Sequence, residues 1–419
     1  MDVLLNEQET LVQETARTFL EAECTPALVR ESEKNEEGFS RGLWKQLAAL
    51  GWLGLSLPEE HGGQGLPVTY LALLLEEMGR HIAPLPVHST LVPATVIAKH
   101  GTESQKELLS EVVEGDAVLS FALQESGGRW SENAIELTGD LDGDGIVLSG
   151  KKLFVADFQH ASHCLVAFRW AGQVGPDALA LALVDTAADG VAVHQLQPLA
   201  KDQECAVVFD RVRVSQDSII RSAAAVKDLM DYAAVLMACQ MQGAARKALE
   251  LAAAYVSQRE AFGQSIGSFQ AIQHLAADML NAVDGAQLLS REAVWRISQN
   301  LPARVEVAQA KSFANEKCLF VCRSAQQMHG GIGFIEEFDI NLWYRKVASW
   351  GLRAGTTYEH RRLIAQALLD TPDRVRLGMT QHLPASRSSS GLNGEAKKPD
   401  SMHQKWMVLC MRNRKTGVF

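Results

Sequence analysis

The feature that most restricts the fold of this sequence is its hydrophobic period, which changes twice along the chain. From residue 1 to about 117, apolar residues recur at helical spacing: Leu11, Val12, Ala16, Phe19 and Leu20, then Leu71, Leu73, Leu74, Leu75 and Met78. Between these runs, Pro58-Glu-Glu-His-Gly-Gly-Gln-Gly-Leu-Pro67 is a loop by its glycines and prolines. From 118 to 222 the period shortens to that of strands, at 147–148, 153–155, 164–168, 179–184 and 206–209, with a turn at Asp142-Gly-Asp-Gly145. From 223 to about 380 it lengthens again. Helices are predicted near 225–258, 268–299 and 303–329, with Phe269, Ile272, Leu275, Ala276, Met279, Leu280 and Val283 on one face. An N-terminal α-helical domain, a middle β domain and a C-terminal up-and-down bundle follow. Residues 381–419 carry linker-like Ser386-Arg-Ser-Ser-Ser-Gly391 and Gly394-Glu-Ala-Lys-Lys-Pro399, and the expectation there is a disordered tail.

Charge removes one class of partner. With 40 basic and 50 acidic residues in 419, net −10, no nucleic-acid-binding face is expected. No apolar run approaches a membrane span. The first residues, Met1-Asp-Val-Leu-Leu-Asn-Glu7, are acidic where an export signal is basic. Seven cysteines (24, 164, 205, 239, 318, 322, 410) form no Cys-x-x-Cys pair, and Cys318 and Cys322 lack further ligands nearby. Reduced thiols in a cytoplasmic protein without a metal centre are expected.

Two segments carry the chemistry: Arg259-Glu-Ala-Phe-Gly-Gln-Ser-Ile-Gly-Ser-Phe-Gln270 and Gln327-Met-His-Gly-Gly-Ile-Gly-Phe334. Taken singly, their aromatic residues and glycines are what packs a bundle and ends a helix. Jointly, and with Pro58–Gly65 and Glu76-Glu-Met-Gly79, they resemble the acyl-CoA dehydrogenase family over residues 1 to about 370. The resemblance implies that family's fold, in which the middle domain is β-barrel-like and the C-terminal domain a four-helix bundle. It also implies FAD shared between subunits of a homodimer, a homotetramer or a heterotetramer with a related subunit. Arg259 would bind the diphosphate, since a guanidinium holds two oxygens at once. Phe262, Phe269, Gln270 and Gln327 would bind the adenosine half, and Gly330 and Gly331 would admit the dinucleotide to bare backbone. Phe121, Leu123, Gln124, Phe154, Ala156 and Thr356 would line the flavin ring. On the acyl-CoA side the resemblance implies Arg129, Trp130, Asp231, Gly355, Arg361 and the backbone N–H of Ala354.

The sequence then departs from the family. An α proton beside a thioester is weakly acidic and needs a positioned base. Members place a glutamate either just before the Gly-Thr pair, here Ala354, or about 26 residues before the signature arginine, here Ala233. Both positions lack a carboxylate, and the arginine that follows the second is Ala234. The usual Thr-Glu-Pro-x-x-Gly-Ser-Asp is Gln124-Glu-Ser-Gly-Gly-Arg-Trp-Ser131, and the flavin-side Trp and Thr are Phe154 and Ala156. His88, which the resemblance places where the acyl pocket closes, is an alternative base, since histidine titrates in the useful range. The expected function is FAD-dependent α,β-dehydrogenation of a bulky, cyclic or branched acyl-CoA, with electrons passed to an electron-transfer flavoprotein. The alternatives are a base-lacking subunit of a heteromeric dehydrogenase, or a flavin monooxygenase or oxidase on this fold.

Overall fold

The computed structural model describes residues 4–35 and 37–370; the expected disordered tail lies outside these residues. Seven helices come first: α1 (Glu7–Glu23), α2 (Pro26–Ser32), α3 (Arg41–Ala49), α4 (Val68–Arg80), α5 (Val87–His100), α6 (Glu103–Lys106) and α7 (Leu108–Val113). Their starts follow the capping residues: Asn6 and Thr102 make capping boxes with Glu9 and Gln105, and Ser40 caps α3. Eight strands follow: β1 (Leu119–Ala122), β2 (Thr138–Asp142), β3 (Gly145–Ala156), β4 (His163–Trp170), β5 (Leu179–Asp185), β6 (Val191–Gln195), β7 (Glu204–Ser215) and β8 (Ile219–Ile220). The chain then forms α8 (Ala223–Gln258), a small hairpin β9 (Glu260–Ala261) and β10 (Gln264–Ser265), and α9 (Gln270–Ser298), α10 (Arg304–His329), α11 (Ile340–Trp350) and α12 (Thr357–Asp370).

The fold class is the expected one, an N-terminal helical domain, a central sheet domain and a C-terminal helical domain. The eight strands form one sheet in the order β6-β7-β3-β2-β4-β5-β8, with β1 parallel to β4. Helix α8 is the spine. It packs against α4, α5, α9, α10 and α11. Two glycines bring α4 and α8 together. A Cβ on Gly79 would lie 1.8 Å from the Gln240 carbonyl, and one on Gly243 would lie 1.8 Å from the Glu76 carbonyl.

Local expectations were corrected in three places. Leu11 is 64% exposed, because α1 buries Gln13, Ala16 and Leu20, a face rotated from the one the apolar residues suggest. On α9 only the later part of the expected stripe is buried: Met279 and Val283 are inside, while Leu280 faces out. Residues 147–148 and 153–155 belong to one strand, β3, interrupted by irregularities at Leu148/Gly150 and Lys152/Val155. The second irregularity decides what the site sees. It gives Phe154 a φ of 54° and turns its ring outward, while Lys152 goes fully inside.

Candidate functional site

An open cavity lies where the central sheet meets the helices. Its sheet wall is Phe121, Leu123 and Gln124 from β1 and its continuation, with Phe154 and Ala156 from the end of β3. The Leu153 N–H donates to the Gln124 carbonyl at 2.8 Å, which binds these two walls together. The helical wall includes Ile82, Leu85 and His88 before and on α5, Met237 and Gln240 on α8, and Ala354 after α11. The structure therefore gathers Phe121, Leu123, Gln124, Trp130, Phe154, Ala156, Ala354 and His88 around one space.

Neither expected base position can take a proton. Ala354 lines the cavity with a φ of 51°, and Ala233 is buried in α8. His88 stands beside the second of them. Its Nε2 donates to the Ala233 carbonyl at 3.0 Å, which leaves Nδ1 as the lone-pair nitrogen. Burial pushes its pKa down to about 4, so the ring is neutral near pH 7. Asp231 is half-buried two residues earlier on α8, and residues so spaced do not face the same way. Burial raises its carboxyl to about 7 against the pull of Arg304.

Trp130 closes over the other position. It is buried, and its Cδ1 would lie 2.9 Å from a Cβ on Gly355, whose φ is 91°. Its backbone N–H donates to Glu359, and the neighbouring Glu132 pairs with Arg304 at 2.7 Å, so the segment is clamped to α12 and α10. Arg129 itself is exposed and does not line the cavity. Thr356 was expected to offer its hydroxyl to a flavin. Instead the hydroxyl donates to Glu359 at 2.9 Å, and the Thr356 N–H donates to the same oxygen at 2.8 Å, a cap for α12. Arg361 is exposed and paired with Glu316.

The remaining expected residues lie elsewhere. Phe262 tips the β9–β10 hairpin at 95% exposure with a φ of 59°, its ring 6.2 Å edge-on from Phe269. Arg259, Gln270 and Gln327 are exposed, and Arg259 makes no ion pair among the described residues. Gly330, with a φ of 64°, ends α10, and a Cβ on Gly330 or Gly331 would meet nothing within 4 Å. None of these lines the cavity. A bare aromatic ring, an unpaired guanidinium and open glycine backbone suit the adenosine and diphosphate of FAD, and the Phe154 platform suits its ring.

Sequence reasoning missed a charged group at the cavity. Arg353 lies with its guanidinium 4.1 Å from the Phe154 ring centre, and Glu204 holds it through two contacts at 2.5 Å. Lys346 pairs with Asp202 at 2.7 Å, and Ser89 Oγ donates to Asp157 at 2.5 Å. Burial lifts the Asp157 carboxyl to about 6. Behind them, buried Lys311 donates to the Trp350 carbonyl at 3.0 Å, while Asn315 donates to the Gly355 carbonyl at 3.0 Å. Burial pushes Lys311 down to about 7. The two ion pairs join residues 149 and 144 positions apart, so no motif announces them. Among the described residues no group of three His, Cys, Asp or Glu is placed to hold a metal, and no helix is long and apolar enough to cross a membrane.

Comparison with known proteins agrees with this geometry. Residues 6–116 match the acyl-CoA dehydrogenase N-terminal domain, and residues 223–369 match the acyl-CoA dehydrogenase C-terminal domain. The chain is similar to a variant of the Tcur3481-Tcur3483 steroid ACAD, with 32% identity and a TM-score of 0.81 over 88% of this chain and 99% of that one. It is also similar to a chain of the ChsE4-ChsE5 complex from Mycobacterium tuberculosis, with 26% identity and a TM-score of 0.83 over 89% and 100%. The caffeyl-CoA reductase-Etf complex subunit CarC of Acetobacterium woodii is 27% identical over 87% of this chain and 99% of its own length. The chain belongs to the acyl-CoA dehydrogenase family of flavin oxidoreductases, whose cofactor is FAD.

Proposed function

We propose that this chain is a subunit of a heteromeric FAD-dependent acyl-CoA dehydrogenase, completing the flavin site of a base-carrying neighbour. The observation that carries this is the vacancy of both base positions in an intact cavity: Ala354 and Ala233 offer only methyl groups, and Trp130 packs on Gly355. FAD, when bound, supplies the hydride acceptor. The residues of this chain act around it. Arg259 holds diphosphate, Phe262, Phe269, Gln270 and Gln327 hold the adenosine half, and Gly330 and Gly331 let it approach. Their exposure, away from this chain's own cavity, supports a role toward a neighbour's flavin. The neighbour's carboxylate takes the α proton as hydride leaves the β carbon, and an electron-transfer flavoprotein collects the electrons. The similarity to a steroid ACAD and to ChsE4-ChsE5 supports a bulky or cyclic acyl group and a two-component assembly.

The test is to purify the chain alone and co-expressed with a base-carrying member of the same family. The chain alone should turn over acyl-CoA at least about 10²-fold more slowly, the usual value of general base catalysis. In the assembly, Arg259→Ala should strip flavin, by loss of a charged bond worth about 1.5–3 kcal/mol. High turnover by the chain alone would refute the proposal. It would favour a homomeric enzyme with His88 as base, a reading supported by the imidazole beside Ala233, and His88→Gln should then abolish the activity.

A further inference from the structure

The inner wall of the cavity holds a polar group without a partner. Gln240 is 8% exposed and lines the cavity, yet its side-chain amide makes no hydrogen bond among the described residues, and its Oε1 is buried. The side chains of Ile82, Ala83, Leu85 and Met237 line the same helical wall and cannot bond it. Buried amides are rarely left so, because the lost hydrogen bond to water is not replaced. The side chain cannot retreat by a shift of its helix, since the Gln240 carbonyl is seated against Gly79 of α4.

Helix geometry sets the depth of this group. Ala233, Met237 and Gln240 are spaced i, i+4 and i+7 and share one face of α8. At 1.5 Å per residue, Gln240 lies about 10 Å beyond Ala233. His88 Nδ1, a second acceptor, stands nearer Ala233.

We infer that Gln240 selects an acyl chain bearing a hydroxyl roughly two helical turns beyond the base position, a distance of about 10 Å. This rests on the second reading given above, in which this chain's own cavity, beside His88, holds the acyl group. A hydroxyl donates to Oε1 and accepts from Nε2 of the same amide, whereas a methylene chain leaves both unpaired. The hydroxylated chain could arrive as a free acid or as a coenzyme A thioester, and these are separate arms of the test.

Calorimetric titration of the full chain, alone and in its assembly, would use 10-hydroxydecanoyl-CoA, decanoyl-CoA and the two corresponding free acids. The hydroxylated member of one pair should bind about tenfold more tightly than its parent, the equivalent of one good hydrogen bond. Gln240→Leu should erase that preference and bind the unsubstituted parent at least as well as wild type does. Gln240→Met, unbranched and of similar length, serves the same purpose should the leucine variant fail to fold. A tenfold preference within either pair supports the inference, and the pair that shows it identifies the form in which the chain is taken. Equal binding of hydroxylated and parent ligands would overturn the inference and leave the acyl reading standing. Binding of none of the four would overturn both.

Discussion

Replacing Lys152 with methionine tests how the sheet side of the cavity is held. Lys152 is fully buried, and its Nζ donates to Glu125 Oε1 at 2.6 Å and to the Leu123 carbonyl at 3.3 Å. Glu125 also accepts the Glu136 N–H at 2.9 Å and the Leu137 N–H at 3.1 Å. The pair therefore ties β3 to both ends of the loop that carries Gln124 and Trp130. Methionine fills the space but leaves the Glu125 carboxylate buried with two amides and no cation. Removing one partner of such a pair costs about 3–5 kcal/mol, a large part of a domain's net stability. The loss should be read locally, by hydrogen exchange of the Glu136 and Leu137 amides, because a chain of this size need not unfold in one step. At 1.4 kcal/mol per tenfold, their exchange should accelerate by about 10²-fold to several thousandfold. Adding Glu125→Gln to Lys152→Met removes the stranded charge and should recover at least half of the loss. Exchange within about fivefold of wild type in the single variant, a change near 1 kcal/mol, would refute the reasoning. So would a double variant as damaged as the sum of its parts.

Two further perturbations are specific. Gly79→Ala should destabilise by about 1–3 kcal/mol despite its gain in helix propensity, since the new methyl needs α4 and α8 to part; denaturant midpoints check this, and an unchanged midpoint would count against so close a contact. Asp157→Asn should stabilise the chain at neutral pH. The folded-state pKa of Asp157 lies at about 6, above its ordinary 3.8, so the wild type loses stability as pH rises between these values. The advantage of the variant should grow from pH ~4 to ~6 toward an upper bound of about 3 kcal/mol and then level off, and a pH-independent difference would refute it.

The order of the three blocks was legible because burial imposes a period, and a period survives in the sequence. Helices α8, α9 and α10 lie within a few residues of the predicted spans, since long apolar faces leave little freedom. Strands β1, β6 and β8 were missed: all are short, with too few residues to show an alternation, and β6 is largely exposed. The walls of the cavity were also legible where resemblance reached them, at Phe121, Gln124, Phe154 and Ala354. The ion pairs Arg353–Glu204, Lys346–Asp202 and Lys152–Glu125 were not. Each joins residues that the fold alone makes neighbours, and a charge in a sequence does not say whether it will be buried. Gln240 gave no signal for the same reason: on a helix of small apolar residues, one amide resembles any solvent-facing position.

Helix α8 carries Gln240 and Met237 on the wall of the cavity, and Arg259, the proposed diphosphate contact, lies just past its end. It is therefore a lever whose fulcrum is the pair of glycine contacts at Gly79 and Gly243. Arg259 lies sixteen residues beyond Gly243, an arm of about 24 Å at the helical rise. A tilt of about one degree at the fulcrum moves the arm's tip by about 0.4 Å, a large part of the tolerance of a bidentate contact. A methyl group added at the fulcrum is thus felt twice, once as lost packing and again, magnified, at the far end of the rod.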